Sequence, residues 1–247
     1  RSEAAGGLAR REGPHRARGR PWGSRRIIIR TPVTTTHHQR FMHTPLLARI
    51  VAVAAVITIA ASASAQSVVG PGKTGPVPDP VNLDITGLFQ AKYASVGDDL
   101  FIGGQPTEKA LRDLKAKGVT TVINLRMPQE MEQIGFDEAA LIKELGMTYV
   151  HIPMRGTPEN PYGPKQLDTF AQAIASAKGK VLLHCTVAWR ASHIWAAYLI
   201  RDRHVPVATA LAQARSINLR DEAPFNGQQP IEGFLGRTVP ELAKPKQ

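Results

Sequence analysis

Cysteine is almost missing from this chain: among 247 residues there is one, Cys185, so no disulfide can form within it. No apolar run reaches the about 20 residues that a membrane-spanning helix needs, and the run at 50–60 has eleven. An excess of charge of one sign is missing from most of the chain too. The net charge of +11 sits almost wholly in residues 1–65, which hold eleven arginines and two glutamates, whereas residues 66–247 hold twenty basic and eighteen acidic residues. That balance gives no reason to expect a nucleic-acid partner. There are no internal repeats, and His151, His184, His193 and His204 lack the spacing to carboxylates that a metal site would show. A lone thiol leaves two readings open, a small buried hydrophobe or a reactive group.

What is present begins with a leader. Met42 to Arg49 is a short, weakly basic start, 50–60 is apolar, and Ala-Ser-Ala-Ser-Ala at 61–65 supplies small-residue cleavage sites. This is the pattern of a secretory signal peptide cut after Ala65, with an uncleaved N-terminal anchor as the alternative. It predicts a periplasmic or secreted protein with no stable membrane insertion after cleavage. Residues 1–41, rich in Arg, Gly and Pro, read as an upstream segment from a misplaced start or as a disordered arm. A single cysteine in an oxidising compartment is exposed to damage, which favours chemistry over packing for Cys185.

The body reads as a Gly/Pro-rich linker at 66–84, a domain at 85–220 and a C-terminal tail at 221–247 with no assigned structure. Within the domain, strands are expected at 89–96, 99–103, 119–124, 148–153 and 181–184. Helices are expected at 108–117 behind the cap Thr107, at 138–145 behind Asp137, from Pro164 to a stop at Gly179, at 190–203, and at 206–215. Expected core positions on them include Leu111, Leu114, Ala140, Leu141, Leu145, Leu167, Phe170, Ala171, Ile174, Ile194, Trp195, Tyr198 and Leu199. Strands alternating with helices imply right-handed crossovers, hence a three-layer α/β fold with a mainly parallel central sheet flanked by helices. In such sheets functional loops lie at the carboxyl ends of strands. Cys185, the Asn124-Leu125-Arg126 turn and the loop at 154–162 all fall there.

The informative stretch is Val181-Leu182-Leu183-His184-Cys185-Thr186-Val187-Ala188-Trp189-Arg190. It reads as strand, short loop and helix, with a thiol at the strand's exit and a guanidinium at the helix's start. A loop running into a helix N-terminus gathers N–H groups and the positive end of the helix dipole, which makes an anion site. Thiols at such positions lose their protons more readily than free ones. The arrangement suits a nucleophile that attacks an oxyanion such as a phosphate ester.

Three further motifs accompany the His184-Cys185 pair with Arg190: Gly104-Gln105-Pro106-Thr107, the strand Thr121 to Arg126 with Glu130 four residues on, and Tyr149-Val150-His151-Ile152-Pro153. With these in order, residues 85–217 resemble the cysteine-dependent phosphatases of the tyrosine and dual-specificity superfamily, and within them the bacterial beta-lactamase-hydrolase-like branch. The resemblance implies a cysteine-phosphatase-like fold and Cys185 as nucleophile, forming a phosphocysteine. It implies Arg190 as the fork gripping phosphate and the amides of Thr186, Val187, Ala188, Trp189 and Arg190 as a cradle. His184 would hold the thiolate. It implies no cofactor or metal, and a phosphorylated protein or small molecule as partner.

The chain departs from the commoner pattern in places. Four residues separate Cys185 from Arg190 rather than five, a spacing shared with short-loop rhodaneses. Ala188 stands where glycine is usual, costing roughly 1–2 kcal/mol should the backbone there be left-handed. Trp189 could wall or cover the site, and Ala191 replaces a common hydroxyl. Where relatives carry an acidic Asp, this chain has Met154-Arg155-Gly156. Glu159 is the candidate general acid, with a solvated loop charge as its plainer reading. Arg126 and Glu130 are expected to pair and brace a loop, and His151 is expected in the core. Two alternatives to the phosphatase stand beside it: a sulfurtransferase with a Cys185 persulfide, and a phosphatase-like domain that binds anions or partners without turnover.

Overall fold

Val181 and Leu183 pack into one apolar cluster and Leu182 into another, so strand β6 (Lys180–His184) is covered on both faces. It lies between β3 (Leu100–Gly103) and β4 (Val119–Asn124) and runs parallel to both. The register sets Gly103 and Asn124 beside His184, so three strands end level at one carboxyl edge. Strand β5 (Thr148–His151) adds in parallel to β4, with His151 beside Asn124. On the other side β2 (Tyr93–Val96) pairs antiparallel with β3, and β1 (Pro80–Asn82) pairs antiparallel with β2. The order is β1-β2-β3-β6-β4-β5. The sheet is thus mainly but not wholly parallel. A short turn at Gly97 (φ +59°) can join only antiparallel neighbours, whereas the parallel pairs are linked through helices.

Helices α1 (Glu108–Ala116) and α3 (Glu138–Glu144) cover one face of the sheet with Leu111, Leu114, Leu141 and Ile142. Both start at expected caps: Thr107 Oγ1 accepts from Ala110 N–H at 3.2 Å and Asp137 Oδ1 from Ala140 N–H at 2.9 Å. Helices α4 (Pro164–Ser176), α5 (Trp189–Arg201) and α6 (Val207–Ile217) cover the other face. The helix faces differ in detail from the expected ones. Ala140 is exposed while Ile142 and Glu138 are buried, and α4 buries Ala173 where Ala171 was expected. Alanine fits either side of a helix, so its apolar character does not fix the phase. A short helix, α2 (Pro128–Met131), fills the stretch after β4 and begins on a proline, the residue best preset for a first helical turn.

The computed structural model describes residues 67–70, 72–220 and 229–242; the expected upstream segment and signal peptide lie outside the described residues. None of the described helices is long and apolar enough to cross a membrane. The stretch expected as a linker is partly bound to the body. Asp99 accepts from the N–H groups of Val68 and Val69 at 2.9 and 3.1 Å and from the Ser67 hydroxyl, burying both valines, and β1 extends the sheet. The tail is bound as well. Helix α7 (Pro230–Leu235) packs on α4 and α5 with Ile231 and Phe234 fully buried, and a 3-10 turn follows at Pro240–Leu242. Pro and Gly punctuate this segment without preventing two short turns, which tertiary burial stabilises by about 1.5–3 kcal/mol per large apolar side chain. Phe234→Ala is therefore expected to cost about 3–5 kcal/mol in chemical denaturation; a loose tail would give a change near zero.

Candidate active site

The polypeptide leaves β6 at His184, and Cys185 is buried there, 1% exposed, with its N–H donating to Gly103 O at 3.3 Å. The loop beyond it is pinned by the strand-exit segment of β3. Gln105 N–H donates to Thr186 O at 2.9 Å, and Gly104 and Val187 form a bridge. Only glycine fits at 104, because a Cβ would stand 1.7 Å from Gln90 O and 2.7 Å from Thr186 O. Asn218 Nδ2 secures the Val187 carbonyl from α6's end. Ala188 is fully buried with φ +66° and ψ 0°, the left-handed turn that its replacement of glycine made costly, roughly 1–2 kcal/mol. It lets α5 begin at Trp189, four residues past the thiol, and the Ser192 hydroxyl bonds back to Ala188 O at 2.7 Å. Trp189 is half-buried and held edge-on to Tyr162 and His193, at ring separations of 6.4 and 4.6 Å.

Arg190 is 8% exposed and is built into the floor of this loop. Nη1 donates to Leu125 O, Met154 O and Glu130 Oε2 at 3.2, 3.0 and 2.8 Å; Nη2 donates to Glu130 Oε1 at 2.7 Å and Thr186 Oγ1 at 3.0 Å. Burial works to lower the Arg190 pKa, but the Glu130 bonds and the nearby Cys185 charge outweigh it, so the group is held cationic. Burial likewise pushes Glu130 up, but the Arg190 bonds, the Met127 N–H and the Thr186 hydroxyl bring it down to about 2. The expected Arg126–Glu130 side-chain pair does not form. Arg126 donates to Gln105 Oε1 at 2.6 Å and to the Glu130 backbone at 2.7 Å, leaving the carboxylate to Arg190.

Behind the loop lies a fully buried carboxylate, Glu138, that nothing in the residue pattern singled out. Glu138 accepts from Gln105 Nε2 at 2.7 Å and from Asn124 Nδ2 at 2.8 Å, and stands 3.1 Å from His184 Nε2. Burial pushes it up, but the His184 charge and these three bonds bring it to about 2. An ionised carboxylate can only accept, so His184 Nε2 carries the hydrogen. The His184 ring thus bonds Glu138 rather than Cys185, while its carbonyl accepts from Leu125 N–H at 3.0 Å. His151 is exposed, not in the core, and its Nε2 lies 2.7 Å from Arg126 O. Glu138's only sequence signal was its place after the cap Asp137, where acidic residues are ordinary.

Glu159 is exposed on a turn closed by Asn160 N–H to Thr157 O at 3.1 Å, and it has no hydrogen bond or ion pair among the described residues. Beside the loop a cavity of about 840 Å³ opens, lined by Phe89, Gln105, Lys109, Arg126, Phe136 and Thr186 among others. Among the described residues no group of three or more His, Cys, Asp or Glu is placed to hold a metal ion.

The family model described as DSP-PTPase phosphatase fused to NAD+ kinase matches residues 90–230, which include the whole of this constellation. The chain belongs to that family. It is 32% identical over 156 residues to a beta-lactamase hydrolase-like protein of Xylella fastidiosa strain Temecula1, covering 62% of this chain and 32% of that one. The protein of the same description from strain 9a5c is 31% identical over 156 residues, covering 62% and 32%. The chain therefore spans about a third of the length of these curated relatives. Among solved structures it is similar to a DUF442 protein of Shewanella putrefaciens CN-32, at 31% identity and TM-score 0.43, covering 53% of this chain and 82% of that one. It is also similar to P. aeruginosa TpbA, at 16% identity and TM-score 0.47, covering 66% and 93%.

In this DSP-PTPase domain the two low carboxylates make stability depend on acid. A carboxyl with a lower pKa folded than unfolded stabilises the fold above its unfolded value and loses that contribution as pH falls through its folded value. Stability should thus decline between pH 4.5 and about 2 as Glu130 and Glu138 protonate. Denaturation midpoints measured across that range should show the decline, and Glu138→Gln should flatten it.

Proposed function

We propose that the chain is an exported phosphatase that hydrolyses phosphomonoesters through a phosphocysteine on Cys185. The observation that carries this reading is a buried Arg190 in the first turn of α5, its fork fixed by Glu130, a few residues after the Cys185 thiol at the exit of β6. In the first step the Cys185 sulfur attacks phosphorus, an S–P bond forms, and the ester P–O bond breaks with its electron pair leaving on oxygen. Arg190 and the loop amides take the charge on the equatorial oxygens. Water then attacks phosphorus, the S–P bond breaks, and inorganic phosphate and the thiolate are released. Phosphorylated proteins and small phosphate esters are both compatible with this chemistry. Export rests on the leader at 42–65.

The purified protein is expected to hydrolyse p-nitrophenyl phosphate in a vanadate-sensitive manner. Cys185→Ser should abolish turnover, and Arg190→Lys should lower kcat about a hundred- to a thousandfold, the usual loss when an oriented donor to a developing charge is removed. Activity persisting in Cys185→Ser, or thiosulfate-to-cyanide sulfur transfer without phosphatase activity, overturns the reading. Export is checked by the N-terminus of protein recovered outside the cytoplasm, expected at Gln66; an intact leader there counts against cleavage.

A further inference from the structure

We infer that the cavity beside the Cys185 loop receives the alcohol half of the phosphate ester, and that Arg126 in its wall selects alcohols carrying a second anionic group. The inference rests on the phosphatase reading above and names the substrate class of that site: a small phosphate ester with an apolar body and an anion away from the ester bond.

The cavity of about 840 Å³ reaches the loop at Thr186, the residue directly after Cys185. A phosphate held over that loop must place its ester substituent beside it, and the space adjoining Thr186 is this one. The volume lies within the roughly 300–1,000 Å³ of small-ligand pockets. Phe89 and Phe136 form the apolar part of the wall. The Phe89 ring stacks on Tyr93 at 4.0 Å, Tyr93 stacks on Phe101 at 5.8 Å, and Phe136 packs against the same apolar cluster, so the core backs this wall.

Arg126 lines the same cavity and is 5% exposed. Among the described residues it forms no ion pair, because the Glu130 carboxylate is taken by Arg190 and the Glu138 carboxylate by Gln105, Asn124 and His184. A guanidinium has five N–H donors. Here Nη1 donates to Gln105 Oε1 at 2.6 Å, Nη2 donates to the Glu130 carbonyl at 2.7 Å, and the buried Nε has no acceptor among the described residues. A buried cation held by neutral acceptors alone is a costly state, and an anion entering the cavity relieves it. Gln105 also fixes where that anion stands relative to the thiol, since its N–H donates to Thr186 O at 2.9 Å. The other charged groups of the wall, Glu108 and Lys109, are exposed, and the Lys109 ammonium lies 2.6 Å from Asp113. Solvent and salt screen such groups far more than they screen Arg126.

The test compares kcat/KM for 4-carboxyphenyl phosphate with kcat/KM for phenyl phosphate. The wild-type protein should prefer the carboxylated ester. The ratio should fall about ten- to a hundredfold in Arg126→Met, the value of hydrogen bonds to a charged group, a selective loss that a merely structural role would not cause. Gln133, exposed on the cavity wall, carries the same test outside the buried network. Gln133→Lys should raise the ratio and Gln133→Glu should lower it, each about two- to fivefold, the value of an exposed charge pair. A ratio that stays constant across the folded variants, with Cys185→Ser inactive, overturns the inference alone. A wild-type protein without turnover on either ester, or an active Cys185→Ser, overturns the phosphatase reading and the inference with it.

Discussion

A guanidinium buried to 8% exposure cannot persist without a charged partner, and the Arg190–Glu130 pair is the condition on which the loop's geometry rests. The pair is two-pronged, Glu130 Oε1 and Oε2 meeting Nη2 and Nη1 at 2.7 and 2.8 Å, which fixes the plane of the fork as well as its position. To bring Glu130 there, the chain after β4 must turn at once into α2, so that short helix exists to present a carboxylate. Leu125 O and Met154 O, from the ends of two neighbouring strands, complete the cage. Removing Glu130 would leave a buried cation alone, a costlier state than removing both partners.

A second carboxylate repeats the device one layer deeper. Glu138 ties Gln105, Asn124 and His184 together, one from each of the segments whose strands end level at the carboxyl edge. Arg126 joins the two layers by bonding both Gln105 and the Glu130 backbone. Gln105 and Asn124 each bond several partners, so a shift in either strand end would be felt across the network beside Cys185. A buried network of this kind stiffens a site when its members are satisfied.

Much of the fold could be read from residue patterns. Val181 to Leu183 announced a strand, Thr107 and Asp137 announced helix starts, and the Cys185-to-Arg190 stretch announced a loop entering a helix. Ala188 standing in a glycine's place raised the question of a left-handed backbone there, which the structure answers with φ +66°. Other features were not legible there. Glu138 looks like any acidic residue in a first helical turn, and nothing local tells that it is buried against His184. Glu130 was seen beside Arg126, four residues away, when its partner lies sixty residues on. Tyr162 looked like a residue in a proline-bounded loop, and its packing against Trp189 and Phe234 required α7, whose Pro- and Gly-rich surroundings concealed a helix of only six residues.

The sequence by itself determined the order of five strands and five helices, though not β1, α2 or α7, together with the place of the thiol at a strand's exit and the cation at a helix's start. These follow from local periodicity, caps and turn residues, each acting over a few positions. Only the tertiary structure decided which carboxylate holds Arg190 and what His184 bonds. Those pairings join residues distant in the chain, and they are chosen by burial, where an unpaired charge is costly and several partners compete for each oxygen. The thiol at β6's end was a local fact; the pairing of Glu130 with Arg190 and of Glu138 with His184 beside it is a property of the packed whole.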